Sequence, residues 1–480
     1  MLLGKTNALR RRLERQVRKR GVFDRTILGT VFALAWPTML EQLTQTAVQY
    51  IDTAMVGSLG TEATAAVGAT GTVNWMIGSI VSAVGVGFLA YIARNIGAGR
   101  PLEARKTSAQ ACTVMVLLGT LLTAATVLAA GWVPVWMQAD PAIRGLASRY
   151  FLIIYSPMLF RTASILFAMV LRAAGDTRTP MRIGLTVNAI NVALNYLLIY
   201  PSHTVSVLNL AIPVPGAGMG VEGAALASAV SFVYGGLAMA RALWTHPAVS
   251  PRGQSFRPDP EILRFCFRVT APNLAQRFAT SFGYVVFASM INALGGVPTA
   301  AHTIANTVES AFYIPGWGMQ TAAATLSGNA YGAKDHRRLK NLASTVLPLE
   351  VCLMIVSGGL LFLFAEPLVR LFSRDEDVIR LGTTVLRMVA VSEPFYGVPI
   401  VVEGLMQGVG KTVAPFVYNV VGMWTIRIAG TFVCTRLLGM GLVAAWGCMI
   451  GHNLLLFVFF MIHYFTGRWD PFPDPQKKAA

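Results

Sequence analysis

The first long apolar stretch of this chain carries four polar side chains whose spacing suits the exchange of an ion. They are Glu41, Gln45, Gln49 and Asp52. Steps of four, four and three residues place them on one face of an α-helix. A carboxyl group in apolar surroundings can be neutral or charged near neutral pH. We therefore predict that Asp52, together with Glu41, binds a coupling ion; a structural acid held by neighbouring hydroxyl and amide groups is the alternative.

A second polar stripe lies further along the chain, where three asparagines are separated by three and four residues. They are Asn188, Asn191 and Asn195. Asparagines can simply join helices in a membrane, at about 1 kcal/mol each. Three in line favour a polar wall, so we predict that they line a substrate cavity together with Gln45 and Gln49. Pro37, four residues before Glu41, removes one helix hydrogen bond and permits the helix to bend there.

Ionisable residues occur in other apolar segments too, where an unpaired charge is costly. They are Arg161, Arg277, Glu309, Glu350, Glu393, Glu403 and Arg427. We predict that Arg277 and Glu309 form a polar network in the second half of the chain. Glu41 is a candidate partner for Arg161 in the first half. Ordinary ion pairing, rather than ion coupling, is the interpretation we favour for the second half.

The elements that must position these residues are membrane-spanning helices. Of the 480 residues, 54% are hydrophobic and 13% are charged, whereas soluble domains carry about 25% charged residues. At about 20 residues per span, the sequence predicts an all-α polytopic membrane protein with twelve transmembrane helices. Their predicted ranges are 28–57, 70–93, 107–132, 147–172, 181–201, 219–244, 266–293, 300–328, 342–365, 381–407, 413–437 and 441–466.

The distribution of Lys and Arg predicts which side of the membrane each loop faces. These residues follow predicted helices 2, 4, 8 and 10 and precede helix 7, whereas the loops 58–69, 202–218 and 294–299 have none. The loop after helix 9, with Arg370 and Arg374, is the exception. The positive-inside rule then places both termini in the cytoplasm. We expect the protein in the cell (plasma or inner) membrane.

Charge and cysteine usage argue against several other classes of protein. Residues 1–27 hold nine of the basic residues behind the net charge of +17, directly before an apolar run. This placement indicates contact with anionic lipid rather than with nucleic acid. The apolar stretch that follows is too long for a signal peptide; an organellar transit peptide is a weaker alternative. The cysteines and histidines are scattered without a CxxC pair, so we expect no metal and no cofactor other than H⁺ or Na⁺ as coupling ion.

The chain contains one unit twice. Three pairs of glycines with matching neighbours share one constant offset, namely Gly60 and Gly295, Gly97 and Gly332, and Gly175 and Gly410 (295 − 60 = 332 − 97 = 410 − 175 = 235). Pro37 and Pro272 keep the same offset. Because each copy has six helices, both enter the membrane in the same orientation. We therefore predict two six-helix lobes related by a pseudo-two-fold axis along the membrane normal, with a cavity between them.

The predicted organisation follows from this duplication. It comprises a basic cytoplasmic segment (1–27), an N-lobe (28–245), a cytoplasmic linker (246–262), a C-lobe (263–466) and a cytoplasmic tail (467–480). The loop 202–218 is longer than its counterpart in the second copy. It is either a cap over the cavity or a tolerated insertion.

These motifs resemble those of the multidrug and toxic compound extrusion (MATE) family over nearly the whole chain after residue 27. The stretches that carry the resemblance are Pro37–Gly60, Leu171–Pro180, Asn191–Tyr196, Gly328–Gly332 and Met406–Thr412. The resemblance implies export of bulky, often cationic amphiphiles, driven by an H⁺ or Na⁺ gradient. It also implies that Asp52 is the coupling acid, Pro37 the bending proline, and Gln45 and Asn191 polar groups of the cavity.

The sequence departs from the family at three acidic positions. Many relatives carry an aspartate where this chain has Asn195. Others carry a glutamate where it has Thr280, and an aspartate at about Tyr396. We therefore favour H⁺ coupling through Asp52, and a Na⁺ site in the first lobe stays open.

The resulting prediction is a secondary antiporter that works by alternating access on small organic molecules in a lipid bilayer. We expect a monomer without a nucleic-acid partner. A flippase for lipid-linked precursors is the alternative, and it would need a row of cationic groups for phosphate, for which Arg161, Arg277 and Arg427 are candidates. A membrane-embedded enzyme is not expected, because the sequence has no H-E-x-x-H, no G-x-S-x-G and no paired catalytic acids.

Overall fold

The computed structural model describes residues 25–137, 140–207 and 210–472, and most of them lie in helices. The helices of the first half are α1 (Arg25–Gly57), α2 (Thr61–Gly97), α3 (Pro101–Ala129), the single turn α4 (Val133–Trp136), α5 (Pro141–Tyr155), α6 (Met158–Ala173), α7 (Arg178–Ile199) and α8 (Gly220–Thr245). Those of the second half are α9 (Pro260–Asn292), α10 (Gly296–Phe312), α11 (Ile314–Gly332), α12 (His336–Phe372), α13 (Glu376–Gly408), α14 (Val413–Gly422) and α15 (Leu442–Phe465). Two π-helical segments, Met423–Gly430 and Val433–Leu437, continue from α14.

Many of these helices are long and apolar enough to cross a membrane. Eight of those in the described ranges pass this criterion, and a ninth span results if α5 and α6, which meet at 49°, are counted as one. The chain is therefore a polytopic membrane protein. The helices α1 and α9 are each 33 residues long, but they are not apolar enough to meet the criterion for a membrane span. The polar stripe on α1 and the arginines on α9 lower their mean hydropathy.

Two of the predicted spans are broken by proline. The span expected at 147–172 divides into α5 and α6 at Pro157, and that expected at 300–328 divides into α10 and α11 at Tyr313, two residues before Pro315. A proline cannot donate the helix hydrogen bond and is tolerated best in the first turn of a new helix. Neither break is evident from the hydrophobic pattern of the sequence.

The expectation of an all-helical chain needs one correction. Strands β1 (Pro201–Val207) and β2 (Leu210–Ala217) form an antiparallel hairpin within the stretch that was predicted to be a loop. The hydroxyl of Ser202 accepts a hydrogen bond from the amide of Gly216 at 3.1 Å and donates to its carbonyl at 3.2 Å. Outside the helices, pairing of the two strands satisfies backbone groups that would otherwise require water.

The backbone conformation repeats with the same offset as the sequence. Gly60 and Gly295 have φ angles of 113° and 112°, and Gly175 and Gly410 have φ angles of 84° and 80°. These left-handed values strongly favour glycine. Equivalent turns therefore occur at equivalent places in the two copies of the unit.

The site is positioned by packing within and between the halves. In the first half, α7 packs against α1 and α8. Between the halves, α2 packs against α9 and α11, and α1 packs against α11. The first turns of α1, with Val31 and Ala35, belong to a hydrophobic core formed mainly by α11, α12, α13 and α15. Helix α1 therefore joins both halves along its length.

Candidate functional site

The carboxyl group of Asp52 is held by an asparagine of the second predicted stripe. The side-chain amide of Asn195 on α7 donates to Oδ1 of Asp52 at 2.6 Å. Asn195 is only 1% exposed, and Asp52 is half-buried. The contact forms because α1 and α7 pack against each other. The structure thus brings together two residues that are 143 positions apart.

A second amide lies against the same carboxyl group. When the Asn191 amide is oriented so that both of its atoms are satisfied, its nitrogen donates to Oδ1 and Oδ2 of Asp52 at 3.0 and 3.2 Å. Its oxygen then accepts from the hydroxyl of Ser228 on α8 at 3.2 Å. Ser228 was not singled out from the sequence, because a lone serine in an apolar helix carries no signal of its own. Neutral groups thus surround Asp52 on this side.

The second acid of the α1 stripe forms an ion pair. Oε2 of Glu41 lies 2.7 Å from Nη2 of Arg172 at the end of α6, and both side chains are largely buried. A Cβ atom at Gly184 on α7 would lie 3.1 Å from Cγ of Glu41, so this glycine leaves room for the acid. Arg161, the candidate partner of Glu41, lies instead over the ring of Phe232, with its Cζ atom 4.9 Å from the ring centre. Glu41 is therefore charge-compensated, whereas Asp52 is held by amides.

The duplication relates the pair of Glu41 and Arg172 to two glutamines of the second half. The offset between the two copies takes Glu41 to Gln276 and Arg172 to Gln407 (276 − 41 = 407 − 172). Both glutamines donate to Oε1 of Glu403, at 3.1 and 3.0 Å. The second half thus has a polar cluster at the equivalent positions, but its acid, Glu403, lies on α13, whereas Glu41 lies on α1.

The two residues predicted to form a polar network in the second half have different partners. Arg277 interacts electrostatically with Glu403, whereas Glu309 interacts with Arg427. The guanidinium group of Arg427 also lies 4.6 Å from the centres of the Tyr284 and Phe287 rings. Arg277 therefore lies beside Glu403 rather than Glu309, because the positions of the two residues on α9 and α10 place each beside another helix. Their membership of one polar network stays a prediction.

The remaining predicted site residues lie on the surface of α1 and α7 or within the helix. Pro37 lies inside α1, which continues through it. The side chains of Gln45 and Gln49 are exposed, and that of Asn188 is half-buried. Their role in a substrate cavity stays a prediction.

A cavity of about 960 Å³ opens beside the Asp52 site, between α1 and the end of α7. It is lined by Ile51, Met55, Val192, Ala193, Tyr196, Leu197, Tyr200 and Pro201. Its wall is mostly apolar, with two tyrosine side chains. The lining residues neighbour Asp52, Asn191 and Asn195 in the chain but lie on the adjacent helix faces. Such a wall suits an amphiphilic molecule better than a strongly hydrated one.

The stretch Leu171–Pro180 forms the turn between α6 and α7. A side-chain oxygen of Asp176 accepts a hydrogen bond from the backbone amide of Thr179 at 3.0 Å in the first turn of α7. Nε2 of His246 lies 4.0 Å from the same carboxyl group. Burial lowers the pKa of His246, and the charge of Asp176 opposes this shift. This motif therefore orders a connection outside the membrane-spanning helices and fixes the start of the helix that carries the asparagines.

A protein-family model matches both copies of the repeated unit. The family model MatE matches the chain twice, at residues 37–197 and 272–433. The starts of the two matches keep the offset of the glycine pairs (272 − 37 = 295 − 60). The two matches thus follow the duplication seen in the sequence and in the backbone.

Curated relatives match over most of their length. The "Probable multidrug resistance protein NorM" of Thermotoga maritima is 26% identical over 437 residues, which cover 91% of this chain and 92% of the relative. The "Probable multidrug resistance protein YpnP" of Bacillus subtilis is 24% identical, and the match covers 92% of this chain and 96% of the relative.

Solved structures share the fold. A MATE crystal structure in complex with MaL6 superposes with a TM-score of 0.83 at 22% identity, over 92% of this chain and 95% of the other. An outward-facing multidrug resistance MATE family transporter of the MOP superfamily gives a TM-score of 0.84 at 22% identity, over 92% and 96% of the two chains.

Proposed function

Because this chain belongs to the MATE family of multidrug efflux transporters, we propose that it exports amphiphilic, often cationic organic compounds in exchange for protons. Transport occurs by alternating access of a cavity between two lobes, residues 28–245 and 263–466, each with six membrane-spanning helices. The protein works as a monomer in the cell membrane, with both termini, the linker 246–262 and the tail in the cytoplasm.

The observation that carries the proposal is the amide environment of Asp52. Ion pairs among the described residues do not include this carboxyl group, whereas Glu41 is paired with Arg172. An amide can donate through its nitrogen to a carboxylate or accept through its oxygen from a protonated carboxyl group. The side-chain oxygen of Asn195 has no hydrogen-bond partner among the described residues. Rotation of the Asn195 or Asn191 amide therefore accommodates either protonation state of Asp52.

The proposed cycle couples this exchange to the shape of α1. When the cavity faces outward, Asp52 takes up a proton and its hydrogen bonds to Asn191 and Asn195 rearrange. The contact between α1 and α7 changes, α1 bends at Pro37, and the cavity between the lobes releases its substrate. The lobes then rock, the proton leaves to the cytoplasm, and a new substrate molecule binds.

Proton coupling is favoured over Na⁺ coupling by the side chains at the family's acidic positions. Asn195, Thr280 and Tyr396 are neutral, and the family resemblance implies acids at these positions in many members. A Na⁺ ion at Asp52 would have one carboxylate and neutral oxygens as ligands, whereas a proton requires only the carboxyl group. Flipping of lipid-linked precursors is disfavoured, because Arg277 and Arg427 interact with buried glutamates and Arg161 lies on an aromatic ring.

The test is transport in proteoliposomes. Efflux of a fluorescent organic cation is followed under an H⁺ gradient alone and under a Na⁺ gradient alone, for the unchanged protein and for Asp52→Asn. We expect the H⁺ gradient to drive efflux and the variant to lose at least about tenfold of the rate, which corresponds to about 1.4 kcal/mol.

The matched control is Asp377→Asn, which removes an exposed carboxyl group that pairs with Arg380; this variant should keep its efflux. Unchanged H⁺-driven efflux in Asp52→Asn would exclude Asp52 from the mechanism. Efflux driven by a Na⁺ gradient alone would show that Na⁺, and not H⁺, is the coupling ion. Translocation of a lipid-linked sugar without efflux of the organic cation would support the flippase.

A further inference from the structure

Two of the five cysteines contact each other in the last helical hairpin of the chain. Sγ of Cys434, in the π-helical segment Val433–Leu437, lies 3.8 Å from Sγ of Cys448 on α15. All five cysteines have free thiol groups. Cys112 and Cys266 are buried, whereas Cys434 and Cys448 are partly exposed, so a small reagent can reach them. The two residues form a thiol pair, which we call the Cys434–Cys448 pair.

The turn that follows Cys434 fixes the position of its backbone. The amide of Met440 donates to the carbonyl oxygen of Cys434 at 2.8 Å. Gly439, directly before Met440, has a φ angle of 64°, a left-handed value that favours glycine. The chain therefore reverses within a few residues, and α15 begins at Leu442. This reversal brings α15 back beside the segment that carries Cys434.

A glycine one turn earlier leaves room for the sulfur of Cys448. A Cβ atom at Gly430, the last residue of the π-helical segment Met423–Gly430, would lie 3.2 Å from Sγ of Cys448 and 3.7 Å from its Cβ. The π-helical chain and α15 are therefore in close contact at Gly430 as well as at Cys434. Turns of π-helix are rare and occur frequently at functional sites.

Two thiols in contact can be oxidised to a disulfide. The S–S bond requires the sulfur atoms to approach further, which rotation about the two Cα–Cβ bonds can supply. With hydrogen peroxide as oxidant, the thiolate of one cysteine attacks the O–O bond and becomes a sulfenic acid, and the first water molecule is released. The second thiol attacks this sulfur, so that the S–S bond forms, the S–O bond breaks and a second water molecule leaves. Two thiols and one peroxide thus give one disulfide and two water molecules.

Both cysteines lie near the same end of their membrane spans. Cys434 lies three residues before the end of the span Val413–Leu437, and Cys448 lies six residues after the start of the span Leu442–Phe465 (437 − 434 = 3; 448 − 442 = 6). In the orientation proposed above, the turn between these spans is on the outer side of the membrane, where cytosolic reductants do not keep thiols reduced. Hydrogen peroxide is small and uncharged, so it can reach a pair at the edge of the bilayer.

We propose that the Cys434–Cys448 pair is a redox modification site, at which peroxide closes a disulfide between the π-helical segment and α15. The site is separate from the proposed transport function, because neither thiol contacts Asp52 or its amides. The disulfide closes a short loop and restricts the unfolded chain, which stabilises the last hairpin. Both helices belong to the second half, so the bond does not join the two halves.

The test detects the bond itself. The reduced full chain in lipid nanodiscs is treated with hydrogen peroxide, and its tryptic peptides are analysed by mass spectrometry with and without a reductant. Cleavage after Arg436 separates Cys434 from Cys448, so the disulfide joins two peptides that the reductant releases. We expect this linked pair and a fall from five to three free thiols per molecule (5 − 2 = 3). The apparent Tm should rise by at least about 2 °C and return to its starting value after reduction.

The variants Cys434→Ser and Cys448→Ser should each lose the linked peptides and the rise in Tm. The matched control is Cys352→Ser, which removes an exposed thiol on α12 and should retain both. If a serine variant does not fold, the alanine variant at the same position provides the test with the same expected result. Loss of free thiols without the linked peptides overturns the proposal, and so do peptides that join either cysteine to Cys352. Linked peptides without a rise in Tm would overturn the stabilising effect of the disulfide.

Discussion

Gly97 and Gly332 occupy equivalent positions on the two sides of the contact between α2 and α11. A Cβ atom at Gly97 would collide with the carbonyl oxygen of Asn329, and one at Gly332 would collide with that of Arg94. Asn329 and Arg94 are themselves equivalent, because their numbers differ by the same offset as the two glycines (329 − 94 = 332 − 97). The contact is therefore self-complementary, as at a two-fold axis between identical subunits. The two copies of the unit can pack this closely because neither glycine has a side chain.

We predict that Gly332→Ala weakens this contact between the halves. The added methyl group meets backbone atoms, which cannot rotate away, so the variant should lose about 1–3 kcal/mol of stability, as over-packed interiors do. The measurement is the apparent Tm of the purified protein in detergent. Gly359→Ala is the control, because nothing lies within 4 Å of a Cβ atom at this helical position. An unchanged Tm in Gly332→Ala would show that the helices are not in close contact there.

We predict that Asn195→Leu impairs proton-driven efflux. The change keeps the approximate size of the side chain but removes the 2.6 Å hydrogen bond to Asp52. A hydrogen bond to a charged group contributes about 1.5–3 kcal/mol, so the rate should fall by about tenfold or more. Efflux from proteoliposomes measures this. The control is Asn292→Leu, which removes an exposed amide at the end of α9 and should transport normally; equal losses in both variants would argue against a special role for Asn195.

We predict that the ion pair between Glu41 and Arg172 can be replaced by two neutral amides. Removal of one partner, as in Arg172→Ala, leaves a largely buried carboxylate unpaired and should cost about 3–5 kcal/mol. The double variant Glu41→Gln/Arg172→Gln reproduces the residues at the equivalent positions, Gln276 and Gln407, and should recover most of the loss. Thermal unfolding of both variants gives the comparison. A double variant as unstable as Arg172→Ala would mean that the charges themselves are required.

Much of the architecture can be predicted from the sequence because its causes are local or periodic. The apolar runs determine the helices, the constant offset that relates Gly60 to Gly295 reveals the duplication, and helical periodicity aligns Asp52 with Glu41. The proline breaks and the hairpin at 201–217 could not be predicted, because short strands and helix breaks depend on the segments that pack against them in the folded protein.

The choice of partners was decided by the tertiary structure alone. The sequence presents several acids and several arginines in apolar helices, and any of them can pair with any other in principle. Helix packing places Glu41 beside Arg172 instead of Arg161, Arg277 beside Glu403 instead of Glu309, and Asp52 beside neutral amides. Periodicity within one helix predicts which residues share a face. Only the rotation of the neighbouring helix about its axis, and its position along that axis, determine which residues this face contacts.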